Sequence, residues 1–151
     1  MERIIAFAAE YLFIAILAAE ACYLAAVHRA RWRTLIVGAL VIGGVGLLLS
    51  LIAGRFIQDP RPFVADGFRP LIHSATDNGF PSDHTLLLGT SAAVTILANR
   101  EAGIIGLLAA ILVGLARVYC GVHHLADIAG SLVIVGMASA AYAGLRRAIG
   151  R

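Results

Sequence analysis

TLIVGALVIGGVGLLLSLIAG, from Thr34 to Gly54, runs for 21 residues without a charge. A helix of that length rises about 30 Å, the thickness of a bilayer's hydrocarbon core. The stretch therefore reads as a membrane span. Working outward, His28–Arg33 forms a tight basic turn containing Trp32, a suitable interfacial anchor. It joins the span to an earlier apolar run, Ile4–Val27. On the other side, Arg55 to Pro81 is the only long polar stretch, with all four prolines at or within its ends. It cannot cross a bilayer and is expected to cap a site as a loop with a short interfacial helix. Three more apolar segments follow: Ser82–Ala98, Ala102–Cys120 and Leu125–Leu145. A tight turn, Asn99-Arg100-Glu101, separates the first two, and both reach spanning length only when their polar ends count as helix. The expected fold is all-α, a polytopic membrane bundle of about five transmembrane helices. It forms a single domain over residues 1–151, with a long loop between spans 2 and 3 and an outward-facing site.

Composition agrees. The chain is 60% hydrophobic and 14% charged, with a mean hydropathy of +0.89. Its net charge is +3, and all 12 basic residues are arginine. They are too few and too dispersed for a nucleic-acid surface. Anionic lipid headgroups and an anionic substrate are the better partners. The first apolar run exceeds the roughly 7–15 residues of a signal-peptide core. It also carries Glu10 and Glu20 and is closed by arginines, so it reads as a retained span. Cys22 and Cys120 have no partner at metal-ligand spacing and read as small buried hydrophobes. Glycines such as Gly103, Gly106 and Gly114 let helices approach closely in lipid and are assigned no chemistry.

Orientation follows from arginine bias. Five spans put Arg29, Arg31, Arg33, Arg100, Arg146, Arg147 and Arg151 on one side, which is read as cytoplasmic. The arginines on the other side are offset by Asp59, Asp66, Asp77, Asp83 and Asp127. Three polar clusters then face outward, together with the N-terminus. They are Asp59-Pro60-Arg61-Pro62-Phe63, Phe80-Pro81-Ser82-Asp83-His84, and the segment from Ala116 to Asp127.

These clusters carry groups suited to phosphate. Arg61, held between two prolines, and Arg117 offer forked donors for phosphate oxygens. Ser82 can cap a helix whose first free amides also bind phosphate. His84 sits in that first turn, where it can act as a general acid. Asp83 fits either simple dipole complementarity at a helix start or tuning of His84. His123 and Asp127, four apart, share one face if helical. They fit either a nucleophile with its orienting carboxylate or an interfacial histidine beside a helix-start aspartate. Arg55 is a further phosphate candidate, and Arg69 reads as a headgroup contact. Glu10, inside the outer face of the first span, either pairs with a site arginine or reaches a polar interior. Glu20 is expected to reach toward Arg29 or Arg31.

In order and spacing the three clusters resemble the signatures of the type 2 phosphatidic acid phosphatase superfamily. Those are Lys-(x)6-Arg-Pro, Pro-Ser-Gly-His and Ser-Arg-(x)5-His-(x)3-Asp, and here they cover Arg61 to Asp127. The resemblance implies a metal-independent membrane lipid phosphatase without cofactor. It implies that His123 is the nucleophile forming a phosphohistidine, Asp127 its orienting partner and His84 the general acid. Arg61, Arg117 and Ser82 would hold phosphate. The sequence departs from the signatures at Gly54, where the lysine would stand one place before Arg55, at Asp83 and at Ala116. Pro-Arg-Pro-Phe, Phe-Pro-Ser-Asp-His and Ala9-Glu10-Tyr11 together resemble the undecaprenyl-diphosphate phosphatase branch, the bacitracin-resistance type. That branch implies a bacterial inner-membrane enzyme of carrier-lipid recycling, acting on a polyprenyl diphosphate. Phosphatidic acid, phosphatidylglycerophosphate and lipid A are alternative substrates. A small anion-binding transporter or scaffold is the non-enzyme alternative.

Overall fold

The computed structural model describes residues 1–27 and 31–149. Apolar runs become helices because in lipid every backbone N–H and C=O must be satisfied within the segment. Among the described residues six helices result: α1 (Glu2–Val27), α2 (Trp32–Phe56), α3 (Pro62–Ala65), α4 (Asp83–Ala98), α5 (Arg100–Tyr119) and α6 (Leu125–Ile149). No strand occurs among the described residues. α1, α2, α5 and α6 are long and apolar enough to cross a membrane. α4, at 16 residues, rises only about 24 Å. It is the central helix and packs against α1, α2, α5 and α6. Its neighbours, more than lipid, receive its side chains, which explains a segment too short to span alone.

The bundle has its polar groups inside and many of its largest apolar ones outside. Leu40, Leu51, Ile105, Leu112 and Val133 are exposed, whereas Ser82, Thr85, Thr95 and Ser131 are buried. That inversion suits a protein whose surroundings are hydrocarbon. One apolar cluster joins Leu35 and Ile42 of α2 to Val94 of α4 and Val135 and Tyr142 of α6. A second joins Leu88 of α4 to Ala110 and Val113 of α5. α4 and α5 touch closely at Gly103, where a Cβ would lie 2.8 Å from the Ala92 carbonyl oxygen.

Two turn assignments and one side-chain partner change. The expected turn Asn99-Arg100-Glu101 is only Asn99, because α5 starts at Arg100. The Asn99 side chain caps that start by accepting from Ala102 N–H at 3.0 Å. Of the expected turn His28–Arg33, residues 28–30 lie outside the described residues, and Trp32 and Arg33 already belong to α2. Glu20 does not reach Arg31. It accepts a hydrogen bond from Ser91 Oγ of α4, while Arg31 donates to the Leu97 and Ala98 carbonyls ending α4. Arg29 lies outside the described residues. Satisfying a buried carboxylate within the bundle is the shorter route for Glu20.

The polar stretch between α2 and α4 folds back over one end of the bundle. Its short helix, α3, starts on Pro62, whose fixed φ suits a first helical position. Asn78 anchors the stretch. Its side-chain amide donates to the Gly54, Ile57 and Phe80 carbonyls and its oxygen accepts from Asp59 N–H at 2.8 Å. Phe63 N–H and Leu71 N–H donate to the Gly121 and Cys120 carbonyls, tying the loop to the turn after α5. Gly121 makes that turn with φ +78, a backbone conformation that side chains disfavour.

Candidate active site

Arg61, Ser82, His84, Arg117, His123 and Asp127, which lie as much as 66 residues apart in sequence, converge at this capped end. The turn at Gly121 brings His123 back under the loop. His123 precedes α6 by two residues, so its pairing with Asp127 is not the helical face the spacing suggested. Asp127, in the first turn of α6, reaches back instead. Its Oδ2 lies 3.1 Å from His123 Nδ1 and accepts from His124 N–H at 2.8 Å. Both residues are buried, Asp127 completely. One carboxylate oxygen thus fixes the ring through Nδ1 and leaves Nε2 facing the opposite way.

Arg61 meets that free nitrogen. Its Nη1 lies 3.3 Å from His123 Nε2 and donates to the Val122 carbonyl at 3.1 Å. Asp77 holds the other side of the fork, 2.9 Å from both Nε and Nη2. Arg61 is 7% exposed, so its charge is partly desolvated and its geometry fixed before any ligand arrives.

The second half of the site comes from α1, α4 and α5. Arg117, in the last turn of α5, donates from Nη1 to the Ala9 carbonyl at 3.0 Å. The same nitrogen lies 3.4 Å from His84 Nε2. The His84 ring packs edge-on against Phe13 of α1, with centroids 4.3 Å apart. Arg117 Nε is buried without a hydrogen-bond partner, which leaves donor capacity for an anion. Glu10 and Asp83 make no ion pair among the described residues, but both act on the Arg117 charge through space.

Some expected roles look different in three dimensions. Ser82 is the residue before α4 but its side chain does not cap it. Its hydroxyl accepts from Thr85 Oγ1 at 3.2 Å, and Ser131 Oγ donates to its carbonyl at 2.9 Å. The first amides of α4 are thereby left without a side-chain cap. Arg55 remains exposed on the last turn of α2 and makes no hydrogen bond or ion pair among the described residues. Gly54, where the related signature has lysine, abuts the Phe80 carbonyl, 3.2 Å from where a Cβ would stand. Asn78 fills the neighbouring space. Arg69 is exposed.

The sequence reading passed over Asn78 and gave Asp77, Asp59 and His124 no site role. Asp59 Oδ1 lies 3.2 Å from His124 Nδ1. Burial, and then the nearby Asp127 carboxylate, push the Asp59 carboxyl above its ordinary value. One ligand atom each from Asp59, His124 and Asp127 lie within 4.8 Å of one another. Sequence spacing suggested no metal cluster. The loop supplies Asp59 from far upstream and creates a set able to hold a cation. In this arrangement the negative charge already faces His124 and the two donors to Asp127.

The chain matches the PAP2 superfamily over residues 33–149. That stretch includes every candidate site residue expected from the sequence except Glu10, and leaves out the α1 contacts from Ala9 and Phe13. It is 32% identical over 135 residues to undecaprenyl-diphosphatase BcrC of Bacillus subtilis (strain 168), covering 89% of this chain and 69% of that one. It is 32% identical over 111 residues to putative undecaprenyl-diphosphatase YbjG of Escherichia coli (strain K12), covering 72% and 56% respectively. It is 28% identical over 116 residues to phosphatidylglycerophosphatase B of Bacillus subtilis (strain 168), covering 68% and 53%. The chain therefore spans from about half to about two thirds of the length of these relatives.

Proposed function

The chain belongs to the PAP2 superfamily, in its undecaprenyl-diphosphatase branch, and from that premise we propose that it removes the terminal phosphate of a polyprenyl diphosphate. The observation that carries the proposal is the line Arg61–His123–Asp127. A ring fixed by a buried carboxylate presents its free nitrogen to a preset guanidinium, with Arg117 and His84 forming the other half of the site. A transporter or scaffold with an anion site has no use for an oriented nucleophile.

The diphosphate enters between the two arginines, and its isoprenoid tail lies among the helices. Arg61, Arg117 and the uncapped first amides of α4 take up the charge on the transferring oxygens. His123 Nε2 attacks the terminal phosphorus. The bond from phosphorus to the bridging oxygen breaks, and His84 donates its proton to the departing lipid monophosphate. Asp127 balances the positive charge that develops on the phosphorylated ring. Water then attacks the phosphohistidine and gives a proton to His84. Phosphate leaves, and both histidines return to their starting state. Glu10 and Asp83 adjust the field around Arg117 rather than touch the substrate. Ser82, bound to Thr85, positions the start of α4. The arginines and helix amides carry the transition-state charge without metal or cofactor.

The arginine distribution supports a bacterial inner membrane location with the site facing the periplasm or exterior. Arg31, Arg33, Arg100, Arg146 and Arg147 all lie at the end away from His123. A site on that face acts on a carrier lipid released by cell-wall synthesis. The relation to phosphatidylglycerophosphatase B keeps a glycerophospholipid monoester as the second substrate reading.

The test is phosphate release by detergent-purified protein in excess chelator. Undecaprenyl diphosphate, phosphatidic acid and phosphatidylglycerophosphate are compared side by side. Preference for the polyprenyl diphosphate by kcat/KM is expected. Preference for a glycerophospholipid moves the assignment to the second reading. No release from any substrate removes the enzyme reading. Activity lost in chelator and restored by a divalent cation assigns a metal to Asp59, His124 and Asp127.

A further inference from the structure

At the end of the bundle away from the site, two cavities of about 490 and 390 Å³ lie side by side and share Tyr142 and Arg146. The larger runs between α2, α4 and α6 over Ile42 and Ala93, and Arg146 and Arg147 line its mouth. The smaller is framed by Arg33 at the start of α2 and by Arg146 and Ile149 at the end of α6. α6 has 25 residues, so Arg146 at the furrow's rim is about 35 Å from His123 along the helix.

Among the described residues the charge here is uncompensated. Arg33, Arg146 and Arg147 are exposed, and none makes an ion pair or hydrogen bond among the described residues. Arg31 is already engaged by the carbonyls ending α4. Arginines sent to this end only as topology signals would need no furrow beneath them. These three, from two helices, rim an apolar trough at the end of the bundle. A basic pocket between transmembrane helices suits an anionic lipid head. A choline or ethanolamine head would bring a cation among three guanidinium groups. Free phosphate would leave the trough unfilled.

We propose that this furrow binds an anionic phospholipid of the leaflet opposite the active site. Its phosphate sits between Arg33 and Arg146, and an acyl chain lies over Ile42 and Ala93. The lipid bridges α2 and α6 where Tyr142 Oη donates to the Thr34 carbonyl at 3.4 Å, so it braces a weakly tied end of the bundle. The proposal is independent of what the phosphatase site acts on.

Native mass spectrometry of the full chain tests it, with phosphatidylglycerol and phosphatidylcholine of identical acyl chains in competition. One phosphatidylglycerol should be retained in preference. Arg33→Gln and Arg146→Gln should each weaken retention about fivefold, and together about 25-fold. The doubly Arg→Lys protein should keep most of it, and inorganic phosphate should not displace the lipid. Arg61→Gln, at the other end, should leave retention unchanged. Turnover by Arg33→Gln in bilayers of phosphatidylcholine alone should match the wild type. Equal retention of the two lipids would overturn the proposal. So would retention surviving the double Gln variant, displacement by inorganic phosphate, or loss of retention in Arg61→Gln, which would place the lipid in the active site.

Discussion

Replacing Asp127 with asparagine separates orientation from charge at the proposed nucleophile. The amide oxygen of Asp127→Asn can take the place of Oδ2. It still accepts from the His124 N–H at 2.8 Å and from His123 Nδ1 at 3.1 Å. The amide nitrogen then occupies the site of Oδ1, a buried atom without a hydrogen-bond partner. The ring stays in place, and the fold should lose only about 1 kcal/mol, the order of one altered hydrogen bond. The negative charge is gone. Attack on phosphorus makes the His123 ring cationic beside that carboxylate. Unit charges about 4 Å apart at an effective dielectric near 20 attract by about 4 kcal/mol. Most of that stabilisation belongs to the transition state and not to the resting enzyme. A loss of 3–4 kcal/mol corresponds to a kcat about 10²–10³-fold lower. KM should change little, because Asp127 does not face the phosphate. Steady-state phosphate release from the lipid diphosphate measures both parameters, and thermal unfolding in detergent checks the fold. A folded Asp127→Asn protein with kcat within about fivefold of wild type would refute the electrostatic role argued from the dyad.

Arg61→Lys should lower kcat/KM by about 10²-fold, since one ammonium cannot hold Asp77, the Val122 carbonyl and a phosphate oxygen together; Arg69→Ala should be nearly silent, and the reverse ranking in the same assay would misplace the phosphate pocket. Asn78→Ala should destabilise the protein by about 2–3 kcal/mol through its lost hydrogen bonds, seen as a lower unfolding temperature; an unchanged temperature would mean the loop is held elsewhere. In a background of Cys22→Ala and Cys120→Ala, Ala65→Cys should react with a membrane-impermeant thiol reagent in cells whose outer envelope, if any, is permeabilised, and Ala148→Cys should not. The opposite labelling would put the site on the cytoplasmic face.

The helices were legible because a long apolar run has few other folds, and each expected span falls within about four residues of an observed helix at either end. The candidate site residues could be picked out because charge and imidazole are costly in such a chain and cluster at helix ends. What was hidden depends on partners distant in sequence. Nothing near Glu20 announces Ser91, 71 residues away. Asp77 looks like a loop charge until Arg61, 16 residues earlier, folds against it. Asn78 looks like an ordinary turn residue, yet its short amide pins the end of α2, Asp59 and Phe80 together. The central place of α4 was unreadable too. Its short apolar run suggested a span completed by its motif, but the structure instead shields it with four neighbours.

The central claim is that His123 Nε2 becomes covalently phosphorylated. Rapid quenching of enzyme mixed with undecaprenyl diphosphate carrying a labelled terminal phosphate tests it most directly. Label should appear on the protein before free phosphate accumulates. It should be labile to acid and stable to alkali, as phosphoramidate bonds are, and map to the peptide containing His123. It should be absent from His123→Ala. Turnover without any protein-bound label, or label on a different residue, would contradict the account.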